Sequence, residues 1–524
     1  MRFWHKGLTA VLAIALSGCA TLQRDRTINL ECPALERHMQ EVVFDLQPDG
    51  SLSSVVVIGA AARNEIMRAE AAARNEIMRA EAAAQNEIMR SENAEISPAS
   101  VDYDLLSRAM TNAVDRWSAS SVFENNNRRT PPTPPAILIL SGGGQWGAFG
   151  AGYLRSLSNS DDTIQSSNIV TSTSIRSDEN AIRNSDTVTG ISTGAIQTLF
   201  VLADDYDGLY DAYTAHETEE YARVYSGIQP LINGSRYSIR PLLGLLRARL
   251  MGSDGKPSLL SVIAHRLHHR TDDMRGPRDA FVGMVNARTG NFVEVDLSEL
   301  IRDIVPDGEQ PSAEDAECVA AVVLASSAIP VNFEPVSITY GKDESEGKDE
   351  SERRDVFYDG GVRQSVFLNH ITSRSIAQME RFRQPSTGRR EAFGQPLPDS
   401  LPFYVIRNGP STVRDMAEIN DKHDILSAAE RGYSIIVNQS EVMAVCSLRL
   451  GNPSGQIWVQ TADRYRTTPG LETGPPPGSP FNADFMDGLA ALGKEVGNGA
   501  NGQPRWLTLQ PIQGGQPSSG CVLQ

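Results

Sequence analysis

Ser192 stands in Gly190-Ile191-Ser192-Thr193-Gly194, behind the β-branched run Thr187-Val188-Thr189. A strand that enters Gly-x-Ser-x-Gly and leaves as a helix is the pattern of a nucleophile elbow, whose turn presents the serine hydroxyl. Gly190 and Gly194 fit that reading, because so tight a turn leaves no room for a side chain on either flank. Upstream, Ile137-Leu138-Ile139-Leu140 runs into Gly142, Gly143 and Gly144, with Gly147 further on. Three successive glycines leave backbone N–H groups unscreened at a helix N-terminus, which suits a phosphate or the oxyanion of an acyl-transfer intermediate. Downstream, Val356-Phe357-Tyr358-Asp359 ends in an acid followed by Gly360 and Gly361. Singly, each segment has a plain explanation: a glycine turn, a weak Gly-x-Gly-x-x-Gly, and Asp-Gly as a common turn dipeptide. In this order they supply donors, a nucleophile and a base, the three roles acyl transfer requires.

Such groups converge only if strand ends hold them. The apolar run 136–140 predicts a buried strand and the segment after the glycines a helix. A strand into Gly190, a second helix, and strands near Phe281 and Val356 follow. That alternation predicts an α/β fold with a central, mostly parallel sheet flanked by helices. The polar stretch from Ser158 to Ser185 reads as an insertion between elements. The duplicated Gly-Lys-Asp-Glu-Ser-Glu beginning at Gly341 and Gly347 reads as an expanded surface loop.

The glycine-rich loop, Gly-x-Ser-x-Gly and Asp-Gly-Gly, in this order over roughly residues 136–369, resemble the patatin-like phospholipases. Ala325-Ser326-Ser327-Ala328-Ile329-Pro330 is similar to that family's Ala-Ser-x-Ala-x-Pro stretch, which packs near the base. The resemblance implies a three-layer patatin-like fold and a dyad of Ser192 and Asp359 that works without histidine. It also implies an oxyanion hole from Gly142, Gly143 and Gly144, with Gly147, Gly190, Gly194, Gly360 and Gly361 as motif glycines. The implied activity is hydrolysis of carboxylic esters in phospholipids or simpler acyl lipids, of phospholipase A, lysophospholipase or esterase type. It would pass through an acyl-enzyme and use neither cofactor nor metal. One departure stands out: family members often carry Arg or Lys two places after the third glycine, where this chain has Gln145-Trp146. A cation there would strengthen the oxyanion site. Leu242, Leu243, Leu245, Leu246 and Leu250 could line an acyl site or be plain core, the commoner fate of such residues.

Outside the expected catalytic region, residues 136–468, the chain reads as a series of appendages. Arg2 and Lys6 precede an apolar run from Leu8 to Leu16, too short to span a bilayer, and residues 1–18 read as a secretory signal. Leu16-Ser17-Gly18-Cys19 resembles the lipobox of bacterial lipoproteins, which implies lipidation of Cys19, a membrane anchor and a place in the cell envelope, at the outer membrane if Ala20 follows the family's sorting rule. After an N-terminal segment (19–60), Asn-Glu-Ile-Met-Arg recurs at Asn64, Asn75 and Asn86. An eleven-residue period makes three helical turns, so residues 61–92 are expected to form one helix about 48 Å long. Its apolar stripe is thin, which favours a solvated spacer and leaves self-association through it open. Residues 93–135 are expected to hold an amphipathic helix built on Leu105, Leu106, Ala109, Met110, Ala113, Val114 and Trp117, then a Pro-rich linker. The tail, 469–524, is rich in Pro and Gly, which predicts few regular elements.

A formal net charge of −17 argues against a nucleic-acid partner. The same charge leaves membrane attachment to the lipid anchor rather than to bulk electrostatics. Cys32, Cys318, Cys446 and Cys521 would remain in an exported chain and allow three pairings. Two other functional readings stay open at this stage. A Ser-Asp-His hydrolase would recruit His370 or His423, and a non-catalytic envelope lipoprotein would use the fold and the repeat helix for binding.

Overall fold

The computed structural model describes residues 27–46, 52–58, 105–106, 109–110, 112–114, 116, 135–166, 182, 185–214, 218–226, 229–230, 234–252, 255–270, 276–342, 352–367, 391–392, 395–396, 401–412, 425–451, 456–476, 479–499 and 505–509. Cys19, the repeat helix expected over 61–92, His370 and His423 lie outside them.

Among the described residues, one mixed sheet of twelve strands forms the centre. In chain order these are β1 (Ile28–Glu31), β2 (Met39–Leu46), β3 (Leu52–Ile58), β4 (Ala136–Leu140), β5 (Ser185–Ile191) and β6 (Asp279–Asn286). There follow β7 (Phe292–Asp296), β8 (Val336–Lys342), β9 (Glu352–Asp359), β10 (Phe403–Arg407), β11 (Ile457–Thr461) and β12 (Leu507–Thr508). The order across the sheet is β1-β8-β9-β6-β5-β4-β10-β11-β12, with β7 pairing β6 and β2 linking β7 to β3. The five strands β6-β5-β4-β10-β11 are mutually parallel. β4, β5 and β10 are buried almost throughout, as a parallel strand covered on both faces must be, which explains why their apolar residues run on without alternation.

Helices cover both faces: α1 (Gly147–Ser166), α2 (Thr193–Ala203), α3 (Arg240–Met251), α4 (Leu259–His268), α5 (Leu297–Ile304), α6 (Ala313–Ser326), α7 (Ile425–Gly451) and α8 (Ala483–Gly497). Leu138, Leu140, Val188 and Ile406 point into a core shared with α1 to α6 and α8. Their neighbours Ile137, Ile139 and Val405 point the other way, into a second core with Ala444, Val445 and Leu448 of α7 and with Leu106, Met110 and Val114. The result is a three-layer α/β fold. From β4 the chain steps to β5 and β6 on one side, whereas β10 and β11 lie on the other. The C-terminal ends of β4 and β10 therefore open a crevice where strand order reverses, the usual ligand position in such sheets.

Two expectations need correction. The helix after the glycines continues to Ser166, past Ser158, where a polar insertion was expected to begin. The tail also contains a fifteen-residue helix, α8, where few regular elements were foreseen. Asn482 caps it by accepting the Phe485 N–H at 2.9 Å, placing the helix start just after the proline run. Its glycines do not break it, because they let helices approach. A Cβ on Gly493 would collide with the Phe149 carbonyl, and one on Gly152 of α1 with that of Ala490.

The N-terminal strands belong to the same sheet as the expected catalytic region. β1 pairs with β8 in parallel, and Cys32, the residue that follows β1, is bonded to Cys318 of α6. The start of the described chain is thus tied to the catalytic region both by a strand ladder and by a covalent link.

Candidate active site

The sheet's register brings the expected nucleophile and base together. β5 pairs with β6 as far as Ile191 opposite Gly283, and β9 pairs with β6 up to Asp359 opposite Met284. Two consecutive residues of β6 thus receive the C-terminal ends of two strands that are far apart in sequence. Ser192 follows the first end, and Asp359 is the second.

Ser192 has φ 56° and ψ −122°, a conformation that L-residues rarely adopt and that carries strain wherever it occurs. The surroundings over-determine it. Its N–H donates to Ser326 Oγ at 2.9 Å, Ser326 Oγ in turn donates to the Gly283 carbonyl at 2.6 Å, and the Ser192 carbonyl accepts the Ala195 N–H at 2.9 Å. Gly190 and Gly194 are packed backbone to backbone. A Cβ on the first would strike the Gly194 carbonyl, and one on the second the Leu140 carbonyl. Ser326 lies in the stretch 325–330, which also holds the acid, because the Ala328 carbonyl accepts the Asp359 N–H at 3.0 Å.

Asp359 is 1% exposed. Its Oδ1 accepts the Gly361 N–H at 2.6 Å, whereas Oδ2 is buried without an aligned donor among the described residues. Burial pushes its pKa up to about 7, and the neighbouring Ser192 hydroxyl and the Gly361 N–H both pull it back. The carboxylate is thus a stronger base than an exposed aspartate and sits beside the serine hydroxyl. Gly360 packs against the Gly283 carbonyl and Ile191, completing the junction of the two strand ends.

The three loop glycines are not equivalent. The Gly142 N–H donates to the Ser365 carbonyl at 3.2 Å and is therefore engaged. Gly143 and Gly144 have φ 148° and 56°, which only glycine adopts readily. A Cβ on Gly143 would also collide with the Asn408 carbonyl, whereas one on Gly144 would meet nothing within 4 Å. Gly147 lies against Thr193 and Tyr213, seating the start of α1 on the start of α2.

Several residues of this site escaped the sequence reading. Asn408 donates its backbone N–H to Ser141 Oγ at 2.9 Å and its side-chain amide to the Ser141 carbonyl at 2.8 Å, clamping the root of the glycine loop. Gln197 of α2 donates to the Gly147 carbonyl at 2.8 Å and pairs with the Asn408 amide. Arg407, 1% exposed at the end of β10, places Nη2 3.1 Å from Glu441 Oε2 of α7. Glu441 is also buried. Burial raises its pKa to about 7, Arg407 and Ser365 lower it, and Asp359 raises it again. The available signal was an apolar strand, Phe403–Ile406, ending in Arg407-Asn408, as 137–140 ends in the glycines. Glu441 gave none, being one acid in an amphipathic helix.

Gln145 and Trp146, which stand where a cation was expected, bind the C-terminal segment. Gln145 donates to the Ser479 carbonyl at 3.2 Å and accepts the Asn482 N–H at 3.1 Å. The Trp146 ring meets Tyr465 and Phe485 edge-on, with centroids 4.9 and 5.0 Å apart.

Two cavities meet at Ser192. One, about 260 Å³, is mainly apolar and runs between Ile196, Leu199, Leu242, Leu246 and Met486. The other, about 300 Å³, is more polar and is bounded by Asp359, Ser365, Arg407, Asn408 and Glu441. Gly144, Ser192, Ile329, Phe333 and Phe481 border both. Leu242, Leu245, Leu246 and Leu250 therefore line a space that opens on Ser192, while Leu243 is core.

No curated protein is matched by the chain. Among solved structures, the crystal structure of VipD from Legionella pneumophila is similar, with a TM-score of 0.26 and 14% identity over 56% of this chain. The match spans 53% of that protein, about half its length. The family model described as patatin-like phospholipase matches residues 138–370, the span that holds the glycine loop, Ser192, the 325–330 stretch and Asp359. Residues 138–370 of this chain, somewhat under half of its length, are accordingly similar to patatin-like phospholipases.

Proposed function

We propose that the protein hydrolyses carboxylic esters of acyl lipids through Ser192 and Asp359. The observation that carries this reading is the Ser192 hydroxyl, on a strained turn, beside a buried carboxylate whose proton affinity is raised. With the acyl chain in the apolar cavity, the ester carbonyl lies at the junction of the two cavities. Ser192 Oγ attacks the carbonyl carbon and its proton passes to Asp359. The carbonyl oxygen becomes an oxyanion that accepts from the N–H groups of Gly143 and Gly144. Collapse breaks the C–O bond to the alcohol, which leaves with the proton from Asp359. Water then gives a proton to Asp359 and attacks the acyl-enzyme. The proton returns to Ser192 Oγ as the fatty acid departs.

Cys19 supports a further part of the reading: a lipid anchor in the cell envelope would hold this acidic protein next to its substrates. Incubating the full chain and a Ser192→Ala variant with defined phospholipids, lysophospholipids and monoacylglycerols, and identifying the released fatty acid, tests the activity. Fatty acid release by wild type alone is expected. A folded wild-type protein that neither releases fatty acid nor forms a fluorophosphonate adduct at Ser192 would favour the non-catalytic lipoprotein instead.

A further inference from the structure

Arg407 is a buried cation whose hydrogen-bonding capacity is largely unspent. A guanidinium carries five N–H donors, and one carboxylate takes at most two of them in a fork. Glu441 engages Nη2 at 3.1 Å, whereas Nε and Nη1 lack an aligned acceptor among the described residues. Buried polar groups of this strength are normally satisfied, so this cluster has room for one more group, and that group must accept hydrogen bonds from a cation.

Its place in the cleft says what the group is attached to. Arg407 ends β10, on the far side of the strand-order reversal from Ser192, and lines the polar cavity but not the apolar one. Glu441 Oε1 comes within 3.8 Å of where a Cβ of Gly142 would stand, and Ser192 Cβ within 3.4 Å of the same point, so the pair is set against the glycine loop near the nucleophile. An ester with its acyl chain in the apolar cavity must send its alcohol half into the polar one. In a glycerophospholipid that half carries a phosphate a few bonds from the ester oxygen, and in a neutral glyceride it carries only hydroxyls.

We propose that Arg407, oriented by Glu441, binds the phosphate of the alcohol half of the substrate and so selects phosphorylated acyl glycerols over neutral ones. This subsite rests on the ester-hydrolase reading above. Planar bidentate recognition of phosphate is the chemistry arginine supplies and lysine does not.

The test separates this subsite from the reaction. Full-length Ser192→Ala protein, which needs no turnover, is titrated calorimetrically with glycerol 3-phosphate, inorganic phosphate and glycerol. Binding of glycerol 3-phosphate, absence of binding by glycerol, and at least a roughly tenfold weakening in an added Arg407→Gln change are the expected results. Tighter binding of inorganic phosphate than of glycerol 3-phosphate would overturn the headgroup in favour of free phosphate. No binding of either anion by a protein of wild-type circular dichroism would overturn the subsite while leaving the Ser192 chemistry untouched.

In otherwise wild-type protein, the ratio of kcat/KM for a lysophospholipid over a monoacylglycerol of equal chain length should fall about 30-fold on Arg407→Gln, since a lost charge-assisted hydrogen bond is commonly worth roughly one to two decades. Equal losses on both esters would mean that Arg407 only supports the loop. Should Arg407→Gln fail to fold, the double change Arg407→Met with Glu441→Met removes both buried charges at similar volume, which folds often tolerate. The same fall in the ratio is expected of it, and an unchanged ratio overturns the proposal.

Discussion

The side-chain amides of Gln197 and Asn408 face each other across 211 positions of sequence, each donating to the other, at 3.2 and 3.0 Å. The pair ties the first helix after Ser192 to the strand end beyond the glycine loop, and Asn408 continues to Ser141. Converting Asn408 to Ala leaves Gln197 Oε1 and the Ser141 carbonyl without these donors in a buried place, at about 1–3 kcal/mol for each stranded group. We expect a lower thermal midpoint and a drop in kcat of about tenfold or more with a smaller change in KM, measured by steady-state kinetics on a soluble ester. Unchanged kcat in a folded variant would count against a positioned glycine loop.

The backbone at Ser192 makes a prediction of the opposite sign. Glycine relieves φ 56°, so Ser192→Gly should stabilise the protein relative to Ser192→Ala, by roughly 1 kcal/mol or more, while both lose fluorophosphonate labelling. Urea midpoints of the two variants measured side by side decide it. Equal midpoints would mean that the turn stores no strain.

Asp359 sets a pH dependence in both activity and stability. As a base it works only when ionised, so kcat/KM should rise with pH through about 7 and level off above it. Stability runs the other way. Unfolded, the carboxyl ionises around 3.8, and folded it holds its proton up to about 7. Between these values the folded state binds more protons than the unfolded one, so folding weakens as pH rises from about 4 to about 7 and stays weakened above that. Glu441 and Asp296, also raised to about 7 by burial, add in the same direction. Asp359→Asn should abolish hydrolysis, flatten part of that slope and raise the thermal midpoint at pH 8, by roughly 2–4 °C per kcal/mol regained. A midpoint lowered at pH 8 would indicate that the carboxylate is not a buried burden.

Chain-length preference should answer to the apolar cavity. Leu246→Trp fills space between α3 and Ser192, so kcat/KM on long-chain esters should fall by about tenfold or more relative to that on acetyl or butyryl esters. A uniform change across chain lengths would remove the acyl chain from that cavity.

Much of this arrangement was legible in the sequence because strand ends announce themselves. An apolar run that stops at Gly142, at Ser192 or at Asp359 reports both the strand and which residues stand at its tip. Less visible was that β6 takes Ile191 and Asp359 on adjacent residues, since register between distant strands leaves no local trace. Arg407, Asn408 and Glu441 stayed hidden for a related reason: their meaning depends on β10 lying next to β4, a pairing across more than half the chain. The tail misled for a simpler one. Glycines that look like helix breakers become contact points once another helix lies close, as Gly493 does against α1.

The lateral position of β10 has one more consequence. Asn408, which braces the loop from that side, and the neighbouring Arg407 and Glu441 lie beyond residue 370, where the family likeness stops. A fragment cut at the edges of the likeness would keep Ser192 and Asp359 but lose the wall against which Gly143 rests. On the proposed function, genetic exchange of the last third of the protein between relatives would therefore alter the substrates accepted, without touching Ser192 or Asp359.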